Sequence, residues 1–421
     1  MDLGRFTALP PSPFFRLRQI LAQSEAGGPE ISLSLGEPSH PAPEFVLQAL
    51  RDTDGYSNYP PITGLPEFRT AAHGWLQRRF KISNALINPD TQILPLNGTR
   101  EGLFLAAQVA PQKDNGLVFI PNPFYQVYAA AAYASNAEPV YLRASVETNF
   151  LPDLDAISEA HYQRCQCFFL CSPANPQGAV AEKPYLTKLL AKARQYNFLI
   201  LADECYSEIF DRSLEDNPPP SILECVSQTE MQEAPFIVFH SLSKRSNLPG
   251  LRSGFCTGGK NVMDAFLALR QIAGPQCPMP AQRAAALAWG DDEHVAANRR
   301  LYQQKLDIAE TIFGNEFGFY RPAGGFFLWL NAGNGVEATK HLWSHFGIKV
   351  LPGAYLARDE IMADGTSYNP ADAFIRVALV SPIEQIETIL KKLYDGLTSY
   401  AAHSQATHEP AQITSKAQAA P

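Results

Sequence analysis

Residues 236–254 read FIVFHSLSKRSNLPGLRSG, and the reading of this stretch settles how the rest of the chain is read. An apolar run, FIVFHS, stops at a loop that carries Lys244 between small hydroxyl residues, with Arg252 eight positions on and glycines at 250 and 254. A short run that is apolar on both faces reads as a strand buried inside a sheet. A lysine just past such a strand can use its amine, once deprotonated, to condense with an aldehyde. Ser241 and Arg252 are residue types that hold a phosphate, through hydroxyl and guanidinium donors. Taken alone, the stretch is equally a surface loop with one basic pair, so its neighbours have to arbitrate.

Outward from this segment, short apolar runs alternate with amphipathic ones. Candidate strands are 93–96, 117–120, 138–142, 167–170, 198–203, 236–241 and 255–258, with helical segments such as 99–110, 124–135 and 182–196 between them. Strands separated by helices predict a mostly parallel seven-stranded sheet between helical layers, an α/β large domain. In such sheets ligands sit at the carboxyl ends of the strands, so the loops there are where chemistry is sought.

Residues 260–313 read as helical except for a break at GPQCPMP (274–280). GGFFLWL (324–330), a helix near 336–346, IKVLPG (348–353), FIRVALV (374–380) and a helix at 382–398 form a smaller α+β block. The expected division is 1–50 as an N-terminal segment joining the small domain, 51–290 as the large domain and 291–398 as the small one. Residues 399–421, rich in Ala, Gln, Ser, His and Pro, are expected to be a disordered tail.

Composition narrows the function classes. With 46% apolar and 18% charged residues and a net charge of -8 spread along 421 residues, no basic block marks a nucleic-acid or anionic-membrane footprint. No apolar run reaches membrane-spanning length, and residues 1–23 lack an apolar signal core. The seven cysteines lack paired spacing. The CxC of Cys165 and Cys167 could suggest a metal, but it runs into FFL and has no second Cys/His pair, so no metal site is expected. Reduced cysteines in a cytoplasmic protein are the expectation.

Three further loops follow candidate strands. LILADECYSE (199–208) brings Asp203 to a strand end with Tyr206 three residues on. A carboxylate there needs a partner, and a protonated pyridine nitrogen suits it, although a helix N-cap is a competing role. FLCSPANPQGAV (169–180) places Asn175 in a turn, where its amide can reach a phenolate oxygen. ILPLNGTREGLFL (93–105) sets Gly98 and Thr99 where a strand gives way to a helix, whose free N–H groups can receive a phosphate.

These pieces, with LGEPSHPAP (35–43), NYPPITGLPEFR (58–69), NPFYQVY (122–128), PAGGFFLW (322–329), LPG (351–353) and FIRVAL (374–379), occur in an order that resembles aminotransferase classes I and II, the fold-type-I pyridoxal-phosphate enzymes, from about residue 31 to 397. The resemblance implies pyridoxal 5'-phosphate as cofactor and a set of roles. Lys244 would bind the cofactor aldehyde and later carry the substrate proton. Asp203 would pair with the ring nitrogen, Asn175 and Tyr206 would bond the ring oxygen, and Tyr125 would stack on the ring. Gly98, Thr99, Arg100, Ser241 and Arg252 would form the phosphate cup. Arg376 would grip the substrate α-carboxylate, with Gly36 near it. Tyr59 would reach the phosphate of a neighbouring subunit, which implies a homodimer. One departure is Ser253, where an aliphatic residue is usual.

His240 is expected to be structural and Phe326, Phe327 and Trp329 to be core packing. Arg16 and Arg18 are expected on a solvated helix face, with a role toward a second substrate carboxylate as the alternative. GEPSHPAPEFV, YPPITGLPEFR and LNGTREGLF look most like the succinyldiaminopimelate aminotransferases of bacterial lysine biosynthesis, which use glutamate and N-succinyl-2-amino-6-oxopimelate. The alternatives are a general aspartate, alanine or aromatic aminotransferase and a C–S lyase of the same fold. A transcription regulator is disfavoured, because about 30 residues before the first motif are too few for a winged helix-turn-helix domain.

Overall fold

The computed structural model describes residues 9, 11–51, 54–361 and 364–408, with side chains described to 404. Seven strands build the central sheet: β1 (Leu94–Leu96), β2 (Leu117–Asn122), β3 (Glu138–Arg143), β4 (Cys165–Cys171), β5 (Leu199–Asp203), β6 (Phe236–Ser241) and β7 (Gly254–Gly258). Their order is β1-β7-β6-β5-β4-β2-β3. All run parallel except β7, which is antiparallel to both β6 and β1. Each expected strand is present.

Alternate residues of these strands feed two separate cores. Phe119, Phe168, Ile200 and Val238 join one cluster, and Val118, Phe169, Leu201 and Ile237 the other. Both faces are therefore covered, which is why the strands read as continuous apolar runs rather than alternating ones. Cys165 and Cys167 are buried in β4, one on each face. Trp75, on the helix Pro66–Phe80, anchors the first cluster. It packs against Trp289, Phe80, His240 and Phe255, and its indole N–H donates to Glu208 Oε1 at 2.8 Å. Glu208 is also within ion-pair range of Arg79, Arg245 and Arg299, so the aromatic core and a buried charge network share one residue.

A second, three-stranded antiparallel sheet lies in the C-terminal part. It has β10 (Phe374–Ala378) between β8 (Phe327–Asn331) and β9 (Leu351–Pro352). Ile31–Ser32 pairs with Ile348–Lys349, and Leu33 enters the cluster of Leu306, Leu328, Ile375 and Leu390. Within residues 1–50, however, Val46 of the helix Glu44–Ala49 packs into the core on the large sheet.

Two boundaries differ from expectation. The 260–313 helix is interrupted not only around 274–278 but also at Asp291 and Asp292, where Met279–Gly290 ends and Glu293–Phe313 begins. The last helix runs Ile383–His408 and so takes in the first ten residues of the expected tail. Ala401 and Ala402 are strong helix formers, and Tyr400 packs onto the small-domain cluster, which together carry the helix onward. Residues 409–421 of the expected tail lie outside the described residues.

Trp75→Ala is expected to destabilise the protein by about 3–5 kcal/mol, because it opens a cavity and leaves Glu208 one donor short. Trp75→Phe should lose clearly less. Urea unfolding of the two variants checks this, and equal losses would contradict the packing role of the ring.

Candidate active site

The parallel strands end on one side, and their carboxyl ends line a cleft of about 350 Å³. Thr99 and Arg100 follow β1, Tyr125 follows β2, Asn175 follows β4, Asp203 ends β5 with Tyr206 beyond it, and Ser241 ends β6 with Lys244 beyond it. Gly36, Phe327 and Arg376 close the cleft from the other side. Except for Gly98 and Tyr59, every residue the sequence reading nominated lines this one space.

Lys244 sits on the four-residue helix Leu242–Arg245, which Ser241 starts by accepting the Ser243 N–H at 3.1 Å. The Lys244 Nζ donates to the Gly36 carbonyl. Burial holds the amine at about 8, with Arg376 and Arg252 pushing the same way against Cys205 and Glu37. A substantial neutral fraction therefore exists near neutral pH, the state in which an amine attacks a carbonyl. Arg376 is buried beside it and stacks over the Phe327 ring at 4.3 Å. It donates to Asn175 Oδ1 at 3.0 Å and to the Ser34 carbonyl at 2.8 Å. Its Nε has no partner. A buried guanidinium held by neutral acceptors, with a donor to spare, is suited to a carboxylate ligand.

Asp203 is buried, and burial pushes its carboxyl above the usual range, opposed by hydrogen bonds from Cys205 and Tyr128. The Tyr128 hydroxyl donates to Asp203 Oδ2 at 2.7 Å and the Cys205 N–H to Oδ1 at 3.3 Å. A cation at this carboxylate would restore its ionised form. Tyr206 is buried against Phe326 and Phe327, and burial raises its phenol well above the ordinary value, so it stays a donor. Tyr125 bonds the Arg100 Nε through its hydroxyl and meets Tyr128 edge-on at 5.7 Å.

The phosphate cup is shaped by backbone as much as by side chains. Gly98 has φ +78°, which favours glycine, and the Arg252 guanidinium lies so close that a Cβ there would push the arginine away from the start of the helix Thr99–Ala106. Arg252 itself has φ +53°, a conformation that non-glycine residues hold only when their surroundings enforce it. Gly254, paired with Ser241, would collide with the His240 carbonyl at 2.6 Å if it carried a Cβ. Ser253, the departure from the usual pattern, is buried, and its carbonyl accepts the Leu242 N–H at 3.2 Å.

The residues fit pyridoxal phosphate. Hydroxyl and guanidinium donors suited to a phosphate, a lysine of lowered pKa suited to an aldehyde, and a buried carboxylate suited to a cation line the one cleft. Bound there, the cofactor supplies an aldehyde that condenses with amines and a ring that draws electron density from the substrate α-carbon. With the cofactor in place, Lys244 would be the group to take and return a proton at Nζ, Asp203 would hold the ring nitrogen protonated, and Arg376 would orient the α-carboxylate.

Tyr128 is the functional residue that sequence reading missed. It is hidden in the alanine-rich helix Val127–Ala134, and the available signal was that a buried tyrosine hydroxyl needs a partner. Phe327 was expected to be core packing only. It is buried but also walls the cleft, because a strand start presents it between Gly36 and Arg376. His240 is enclosed by Trp75, Phe80 and Phe255, and burial lowers it to about 3, which keeps the imidazole neutral and out of the cleft. Arg16 stacks on Tyr355 at 3.8 Å and Arg18 is exposed, while Phe14 of the same helix lines the cleft. Tyr59 is 95% exposed and does not contribute to its own chain's cleft.

Capture of pyridoxal phosphate by the cofactor-free chain should accelerate with pH through about 8 and then level off, since the neutral Lys244 amine is the reactive form. Stopped-flow absorbance at the cofactor band measures this, and a rate still climbing at about pH 10, as an unperturbed lysine gives, would contradict it.

The family described as aminotransferase class I and II matches residues 29–393. An LL-diaminopimelate aminotransferase of Dehalococcoides mccartyi is 30% identical over 398 residues, covering 92% of this chain and 97% of its own. Among solved structures, an aminotransferase of Neisseria meningitidis is 35% identical with a TM-score of 0.84, covering 94% of this chain and 98% of that one. One from Helicobacter pylori is 32% identical with a TM-score of 0.83, covering 92% and 98%. With the family match spanning both sheets and the cleft between them, the chain belongs to aminotransferase classes I and II and is a pyridoxal-phosphate-dependent aminotransferase.

Proposed function

We propose that this enzyme transfers an amino group from glutamate to a keto acid of the diaminopimelate skeleton, with N-succinyl-2-amino-6-oxopimelate as acceptor, in the cytoplasm. The observation that carries the reading is the placement of two arginines in the cleft. Arg376 lies buried for the α-carboxylate, whereas Arg100 is exposed, bonded through Nε to the Tyr125 hydroxyl, and makes no ion pair among the described residues. A substrate with carboxylates at both ends of a long chain uses both cations. The wording of residues 36–46, 59–69 and 96–104 supports the succinylated form. The relative from Dehalococcoides mccartyi favours a second reading, in which the unacylated skeleton is handled.

The same residues then have defined work. Lys244 bonds the cofactor and moves the α-proton, and Asp203 pairs with the ring nitrogen under the hold of Tyr128. Asn175 and Tyr206 bond the ring oxygen. Gly98, Thr99, Ser241 and Arg252 hold the phosphate, with the backbone of Arg100. We further infer a homodimer in which Tyr59 reaches the phosphate of the partner subunit, a role consistent with a tyrosine left almost wholly in solvent by its own chain.

Glutamate should bleach the cofactor's visible band, and N-succinyl-2-amino-6-oxopimelate should restore it. Restoration only by other keto acids, with bleaching by LL-diaminopimelate, would move the assignment to the second reading. Arg100→Ala should raise KM for the dicarboxylic acceptor about tenfold or more and leave pyruvate nearly unaffected, the loss expected for a hydrogen bond to a charged group. Equal effects on both acceptors would remove Arg100 from substrate recognition.

Tyr59→Phe should weaken phosphate retention about tenfold without altering sedimentation as a dimer. Unchanged cofactor dissociation, or a monomer in the unmodified protein, would overturn the shared site.

A further inference from the structure

Lys305 is the one fully buried lysine among the described residues, at 0% exposure, and it lies outside the cleft. It stands on the helix Glu293–Phe313 and has no carboxylate within ion-pair distance among the described residues. A buried amine without an anionic partner is expensive, and a Met of similar shape would fill the same space. Its contacts show what the amine does. The Nζ donates to the Leu379 carbonyl at 3.0 Å and lies 2.7 Å from His40 Nε2.

That second contact sets the histidine. With Nε2 accepting from Lys305, the proton of the neutral ring is on Nδ1, which donates to Asn298 Oδ1 at 2.9 Å. Burial lowers the His40 pKa, in keeping with the neutral ring. Asn298 Oδ1 also accepts from Asn247 Nδ2 at 3.0 Å, so its amide orientation is fixed from two sides. Its Nδ2 then reaches the carbonyl of Lys244 at 3.1 Å and that of Arg245 at 3.3 Å. These are end carbonyls of a four-residue helix, which lack partners within the helix and otherwise leave Lys244 on a loose turn. A second route reaches the same lysine. Gly36, whose carbonyl accepts the Lys244 amine, stands four residues before His40, and Ser39 between them bonds the Val380 carbonyl.

We propose that Lys305 is a positioning residue for Lys244, acting through His40 and Asn298 on the Lys244 backbone and through the 36–40 segment on its amine. The helix Glu293–Phe313 thus holds the reacting lysine at both ends of its side chain without entering the cleft. This inference uses the reading of Lys244 as the reacting amine, and it is tested first in a way that does not depend on that reading.

In the cofactor-free protein, the amides of Leu242, Ser246 and Leu248 are bonded to the Ser253 carbonyl and, for the last two, to the Leu242 carbonyl. Lys305→Met and Asn298→Ala should each raise hydrogen exchange at these amides about tenfold, with the large-sheet amides unchanged. Lys305→Met should not lower the melting temperature, since it removes a buried amine. His40→Gln, which keeps an acceptor for Lys305 and a donor for Asn298, should retain protection, and His40→Leu should lose it. In the loaded enzyme, Lys305→Met should raise the deuterium isotope effect of α-deuterated glutamate in single turnover while its binding constant stays within about twofold, because the proton step alone is slowed. Unaltered exchange at 242–248 in both Lys305→Met and Asn298→Ala would overturn the proposal. So would exchange that rises evenly across the protein, or an unchanged isotope effect beside a weakened affinity. An unchanged isotope effect with affinity intact, beside success of the exchange arm, would instead place the error in the role of Lys244.

Discussion

Three ionisable groups meet in one cleft, Asp203 and Arg376 buried and Lys244 half-buried, and none is paired with another by an ion pair. Burying such charges opposes folding unless neighbours compensate. Each therefore has a neutral or polar holder: Tyr128 for the carboxylate, Gly36 for the amine, and Asn175 with Ser34 for the guanidinium. The imbalance that remains is what the site is for. A carboxyl pushed up by burial, an amine pulled down and a guanidinium with a spare donor would each be stabilised by a part of a cofactor–amino acid complex under the proposed roles, so binding and folding would draw on the same unsatisfied groups.

The rest of the architecture serves this arrangement. Five strand ends converge because the sheet is parallel there, and the antiparallel β7 returns the chain so that Arg252 faces Gly98. The small sheet brings Phe327 and Arg376 in from the opposite side, on the neighbouring strands β8 and β10. The N-terminal segment completes the enclosure through Gly36. Its positions are held by Lys305 and Val380 rather than by its own secondary structure.

The strands were legible because burial on both faces writes itself as an unbroken apolar run, and LILAD or FIVFH leaves little alternative. Lys244, Asp203 and Arg376 were legible because each is a charge at the end of such a run, in an order that resembles a known family. Tyr128 was not, since nothing in VYAAAAYA marks one tyrosine as bonded to a carboxylate two strands away. Phe327 read as core because it is core, and only the approach of Gly36 makes it a wall. The helix end at His408 was missed because polar composition hides the packing of Tyr400, whereas the break at Asp291–Asp292 does carry a signal, Gly290 followed by two aspartates of the type that cap a new helix, which the reading passed over. Lys305, His40 and Asn298 are each unremarkable in sequence. Their connection exists only once a helix from residue 293 lies against a segment from residue 36.

The account rests on Lys244 as the lysine that bonds the cofactor. Borohydride reduction of the loaded protein, proteolysis and mass spectrometry locate the modified residue directly. Burial also holds Lys305 at about 8 and lowers Lys113, and of these three lysines only Lys244 faces the cleft. The account predicts the reduced cofactor on the peptide containing Lys244 and none on that containing Lys305. Modification of Lys305, or of any lysine other than Lys244, would contradict it.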